Sequence, residues 1–234
     1  MSRHRWYQVH WPMRIRELAT KLEAHAFREE MSDGFIVDKV RDSRIEGRFV
    51  ERIELSDQTT NPFGERFSFD RVEFRQINFR ITASTPGLEV AGTTAGSPRL
   101  ANKLAEICNY RLAVSDLHVS VFEWLALFQD LSRSVGYVDI IQIGQIKLGG
   151  TISARAIIKG KEDVHAATQN LTKGQEFVVE KIQFRPSAPN RGSVVFSHLG
   201  SIIVRSKEDI EVVNHVRRAL ETMESAKKAG KAAD

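Results

Sequence analysis

Between Arg71 and Ile81 the chain reads RVEFRQINFRI, an order that suits a half-buried β-strand and little else. Val72 and Phe74 share one parity, whereas Ile77, Phe79 and Ile81 share the other. Successive side chains leave a strand on opposite faces. The phase change at Arg75–Gln76 therefore predicts a bulge that keeps all five apolar residues on the core side. The outward set is then Arg71, Glu73, Arg75, Asn78 and Arg80, a mostly cationic and amide-bearing face.

The rest of the chain fits around that strand. A strand is expected at 5–11, then a helix from Pro12 with Ile15, Leu18, Leu22 and Ala26 along one side. Strands follow at 35–42 and 46–55. A polar loop over 56–65 carries the turn signal Asn61-Pro62-Phe63-Gly64. After a further strand near 88–91, the loop 92–96 leads to a helix capped by Ser97, with Pro98 in its first turn. Residues 118–131 (HVSVFEWLALFQDL) are apolar nearly all round, which marks either a core helix or a subunit contact.

Gly149-Gly150 between strands at 138–148 and 151–159 predicts a tight hairpin. A short helix over 161–171, a strand over 177–185, the linker 186–192 and one or two strands over 193–205 come next. Ser206 and Asp209 form a capping-box pattern for the last helix, whose buried stripe is Ile210, Val213, Val216, Leu220 and Met223. The expected class is α+β: antiparallel sheets with helices packed on one face, in two halves of similar element order. The expected division is an N-terminal α+β region at 1–112, the central apolar helix at 113–135, a C-terminal α+β region at 136–226 and a flexible tail at 227–234.

Charge is uneven along the chain. The net charge of +4 divides into +1 over residues 1–80, −2 over 81–140 and +5 over 141–234. Cys108, the single cysteine, rules out an intrachain disulfide and favours a reducing compartment. The first residues, MSRHRWYQVHW, lack the apolar run of a signal peptide, and no stretch approaches the roughly 18 apolar residues of a membrane-spanning helix. A cytoplasmic protein is expected.

Catalytic patterns are absent. The loop AGTTAGSP (91–98) lacks the order of a phosphate-binding P-loop, and no histidine pair has helical metal-ligand spacing. Glu51-Arg52, Glu73-Phe74-Arg75 and Glu180-Lys181 are the nearest fragments to a metal-dependent nuclease, and their spacing is wrong. No serine lies in a nucleophile elbow, and Cys108 falls on the apolar side of its helix. Neither metal nor cofactor is expected.

Nucleic-acid binding has more to recommend it. On 177–185 (FVVEKIQFR), Ile182 and Phe184 read as inward, and Lys181, Gln183 and Arg185 as outward. Arg185 opens a proline-bearing loop that adds Arg191. Lys147, Arg155, Lys159, Lys161 and Lys173 lie on or beside the neighbouring hairpin and short helix, whose first amides could also meet a phosphate. With Arg71, Arg75 and Arg80 these residues could neutralise phosphates without reading sequence. Trp6, Tyr7 and Trp11 near Arg3, Arg5 and His10 could stack on bases or pin the first strand into the core. With no RNP-type aromatic signature, duplex backbone contact is preferred.

The order of elements, with IEGRFV at 45–50, ARAIIKGKEDV at 154–164 and KIQFRPSAPNRG at 181–192, resembles the RexA family of phage-exclusion proteins of temperate phages. That resemblance implies a dimeric, sequence-nonspecific DNA-binding sensor or accessory factor of antiviral defence. The expectation is a non-catalytic nucleic-acid binder, DNA favoured, acting as a homodimer or with a partner protein. The alternatives are a protein-interaction scaffold subunit and a degenerate metal-dependent nuclease.

Overall fold

The structure, a computed structural model, describes residues 1–92, 98–149, 151–187 and 192–231. The chain is α+β. In order, the elements are β1 (Ser2–Val9), α1 (Ile15–Ala24), β2 (Asp33–Arg41), β3 (Arg44–Thr60), β4 (Arg66–Thr82), β5 (Gly87–Ala91), α2 (Pro98–Ile107), β6 (Val114–Asp116), α3 (Val121–Ser132), β7 (Gly136–Gly149), β8 (Ile152–Lys159), α4 (His165–Leu171), β9 (Val178–Pro186), β10 (Ser193–Ser197), β11 (Ser201–Arg205) and α5 (Asp209–Lys231). Predicted Ser97, Gly150 and most of the 186–192 linker fall outside the described residues.

All strands join one antiparallel sheet in the order β2-β3-β4-β5-β1-β11-β10-β9-β7-β8, with β6 pairing β1 off this path. The first strand of the chain is thus the seam between the halves, bonded to β5 on one side and β11 on the other. Alternation along β1 divides its side chains between two cores. Trp6 lies in one core with Trp124, Phe128, Phe184 and Phe196, packed under α3 and α5. Tyr7 and Val9 face the other, built from α1, α2, Phe35, Phe49, Phe79 and Ile81. The two helix pairs therefore cover opposite faces of the same sheet. Each half has its helices on one face, as expected, but the halves are turned over relative to each other.

The apolar segment around 118–131 is a core helix. Ser120 caps α3 by accepting from Glu123 N (3.4 Å), and Trp124 is fully buried with its Nε1 donating to Val216 O of α5 (3.0 Å).

The bulge at Arg75–Gln76 does not form. β3 and β4 pair without a register shift from Arg44↔Thr82 to Thr60↔Arg66, so Val72 and Phe74 point to the face opposite Ile77, Phe79 and Ile81. The reason lies in what flanks the strand. β2 reaches β3 only as far as Glu51, and β5 reaches β4 only over Asn78–Ile81. Beyond, the pair runs on alone as a two-stranded arm from Arg52↔Phe74 to Thr60↔Arg66, about 30 Å long at about 3.4 Å per residue. Among the described residues no core continues under the arm, so apolar parity has nothing to obey there. The predicted loop at 56–65 is mostly this arm, closed by a turn in which Asn61 Oδ1 accepts from Phe63 N and Glu65 N (3.0 and 2.9 Å). Phe63 at the tip is 90% exposed, and Phe67, Phe69, Val72 and Phe74 are exposed along the shaft.

Candidate nucleic-acid interface

Because α3 and α5 cover the opposite side, no helix among the described residues covers the C-terminal half of the sheet on the side that α1 and α2 occupy in the N-terminal half. Pairing registers give its layout. One row across the strands runs Arg5 (β1), Ser201 (β11), Ser197 (β10), Lys181 (β9), Gln142 (β7) and Ile157 (β8). The next runs Arg3, Ile203, Val195, Gln183, Ile140 and Lys159. Arg205, Arg185 and Arg155 share the face by strand parity.

These cations differ in what they touch. Arg185 is held by Asp139, at 2.6 Å from Nη2 and 2.8 Å from Nε; that hydrogen bond, and then the Asp139 charge, raise its pKa. Arg155 lies 2.9 Å from Glu180, which also accepts from Gln142. Arg5 donates to Asp116 (2.7 Å) and sits 5.0 Å over the Tyr7 ring. Arg3, Lys159, Lys181 and Arg205 are exposed and have no acidic partner among the described residues. The face is therefore positive with a few local neutralisations, and the cations named above stand on four of its strands, β1, β11, β9 and β8.

Among the other predicted residues that are described, Lys147 shares this face by parity, opposite Ser153 of β8. Arg71 sits on the arm and Arg75 just below its base, both beside acids: Arg71 with Asp57 (2.6 Å) and Glu73 (2.5 Å), Arg75 with Glu51 (3.6 Å). With no bulge to realign them, Arg71 and Arg75 face one side of β4 and Arg80 the other. Arg80 is half-buried at the junction of the halves, where burial and then the neighbouring Arg217 charge lower its pKa, so it is spent inside the fold. Lys147 pairs with Glu176. Lys161 and Lys173 flank α4, and Asp163 already takes the His165 amide at its start (2.9 Å), so that helix offers no phosphate seat. Arg191 lies outside the described residues.

The N-terminal aromatics are structural. Trp6 is core, and Trp11 Nε1 donates to Gly87 O (3.2 Å). Arg205 was not among the predicted contact residues, and Arg3 and Arg5 were named only as neighbours of the N-terminal aromatics, not as part of a sheet face. Their signal was alternation within SRHRWYQV and SIIVR, which becomes readable only once β1 is known to lie beside β11.

Behind the seam, on the α5 side, Glu89 is 5% exposed. It accepts from His4 Nδ1 (2.8 Å), Arg217 Nε (2.6 Å) and Arg217 Nη2 (2.9 Å). Burial alone would raise its pKa, but hydrogen bonds from His4 and Arg217 more than reverse this, down to about 2. The cluster ties α5 to the middle of the sheet.

Among the described residues, no three His, Cys, Asp or Glu side chains are grouped to hold a metal ion. Cys108 is 1% exposed, and burial raises its pKa, so its thiolate is disfavoured. No described helix is long and apolar enough to cross a membrane. No protein-family model matches the chain, and a search of curated proteins finds no significant match.

Proposed function

We propose that this protein binds nucleic acid without catalysis or sequence preference, through the bare face of its C-terminal half. The observation that carries the reading is the group of exposed, unneutralised cations Arg3, Lys159, Lys181 and Arg205 on a helix-free sheet face. Side chains of this kind gain affinity by releasing counterions from phosphates. DNA as the target, a homodimer and a place in phage defence follow from the RexA resemblance.

The test is fluorescence anisotropy with a labelled random-sequence duplex at two salt concentrations. Saturable binding is expected, weakening steeply with salt at about 0.9 in log K per phosphate contacted, log against log. Changing Arg3, Lys159, Lys181 and Arg205 together to Glu should abolish it while circular dichroism stays unchanged. Binding that survives the reversal overturns the proposal.

A second reading, a protein-interaction subunit, rests on the arm. Its Arg52 and Arg71 lie beside carboxylates while Phe63, Phe67 and Phe69 stand in water, a surface better suited to an apolar partner than to a polyanion. That reading expects no saturable nucleic-acid binding.

A further inference from the structure

The bare face is not uniform. Where β1, β11, β10 and β9 meet, a cleft of about 210 Å³ opens, lined by Arg3, Arg5, Lys181, Ser197, Ser201 and Gly92 together with four Val and Ile residues of the same strands and β5. The row Arg5, Ser201, Ser197, Lys181 explains its form: two long cationic side chains stand about 14 Å apart, three strand spacings, with two small hydroxyl residues between them as a floor. Arg3 lies two residues along β1 on the same side.

We infer that this cleft seats a single phosphate group; the inference rests on the nucleic-acid reading of the face and gives that face its anchoring point. The walls supply positive charge from three side chains, and Asp116, on Arg5, is the one carboxylate in contact with them among the described residues. The floor supplies hydroxyl donors. The Arg5 guanidinium is already fixed by Asp116 and by the Tyr7 ring, so little freedom is lost when an anion arrives. The volume equals about seven water molecules, enough for a phosphate with part of its attached sugar and too little for a stacked base pair. The chemistry is that of a tetrahedral oxyanion, which a backbone phosphodiester or free phosphate can each present.

The experiment has two arms. In the first, duplex DNA is titrated into wild-type protein, Arg3→Met, Lys181→Met and, on the same face outside the cleft, Arg155→Met. Each cleft variant should lose at least tenfold in affinity and about 0.9 of the log–log salt slope, one phosphate contact, while Arg155→Met changes affinity less than threefold. In the second, inorganic phosphate is titrated while amide NMR shifts of Ser197, Ser201 and Gly92 are followed in wild type and Lys181→Met. DNA binding with cleft variants no weaker than Arg155→Met overturns the cleft and leaves the broader reading standing. Phosphate-dependent shifts that vanish in Lys181→Met, with no DNA binding, uphold the cleft for free phosphate and overturn the broader reading. If neither probe binds, both fall. The substituted side chains are exposed, and unchanged melting temperatures check the fold.

Discussion

Replacing Glu89 with Gln tests how the two halves are locked together. The variant keeps the shape of the side chain and removes its charge, leaving Arg217, only 15% exposed, beside a neutral amide. Its magnitude follows from the carboxyl's own titration. Folding lowers the Glu89 pKa from 4.5 to about 2. At about 1.4 kcal/mol per tenfold change in proton affinity, that difference is worth roughly 3 kcal/mol. Stripping one partner from a buried ion pair independently suggests a loss of about 3–5 kcal/mol. Because the folded pKa is the lower one, the contribution is complete above about pH 4.5 and disappears as the pH falls toward 2.

Urea denaturation of wild type and Glu89→Gln at pH 7, 5, 3.5 and 2.5 reads this directly. Other carboxylates cancel in the difference. The gap should be about 3 kcal/mol at pH 7 and 5 and should narrow at the two lower values. At neutral pH it should appear as a fall in Tm of about 6–12 °C. Equal midpoints at pH 7, or a gap that stays constant down to pH 2.5, would refute the reasoning.

Three further outcomes are expected. Gly87 has φ +95°, and a Cβ there would lie 2.4 Å from Val9 O, so Gly87→Ala should cost at least about 2 kcal/mol by chemical denaturation, with loss of order at the β1–β5 seam. Native Cys108 should be inert to an aromatic disulfide reagent and yield one equivalent of thiol once denatured, checked by absorbance. Excising 56–70 and joining Leu55 to Arg71 through Asn-Gly should shift stability by less than about 1 kcal/mol in a thermal melt, since the removed side chains are almost all exposed.

What could be read from the residues follows the reach of the cores. Ile77, Phe79 and Ile81 alternate because helices press on one side of them, and the strand was legible for that reason. Val72 and Phe74 sit on a segment with no core, so their phase carried no register and suggested a bulge instead. Thr59, Thr60, Asn61 and Pro62 look like loop, and the long pairing that holds Ser56–Thr60 extended depends on its partner strand rather than on local propensity. Lys181 and Arg185 were placed correctly on an outward face by alternation alone, since Ile182 and Phe184 between them are core. Arg3 and Arg5 could not be joined to them, because no local pattern says that a strand at residue 2 pairs with one at residue 204. The opposed helix pairs were hidden for the same reason: Trp6 and Tyr7 are adjacent and apolar, and only the strands flanking them assign each to its core.

The central place of β1 has a consequence for how the protein is made. During synthesis β1 emerges early, yet its partner β11 appears about 200 residues later, a delay of roughly 10–40 s at ribosomal rates. Until then β5 can satisfy one edge of β1 and β6 the Tyr7–Val9 end of the other, while the Ser2–Arg5 stretch of that second edge, and the Trp6 ring destined for the second core, stay uncovered. The N-terminal half must therefore persist as an unfinished sheet with a sticky border, and closure of the C-terminal core is set by arrival of that distant strand rather than by local folding speed.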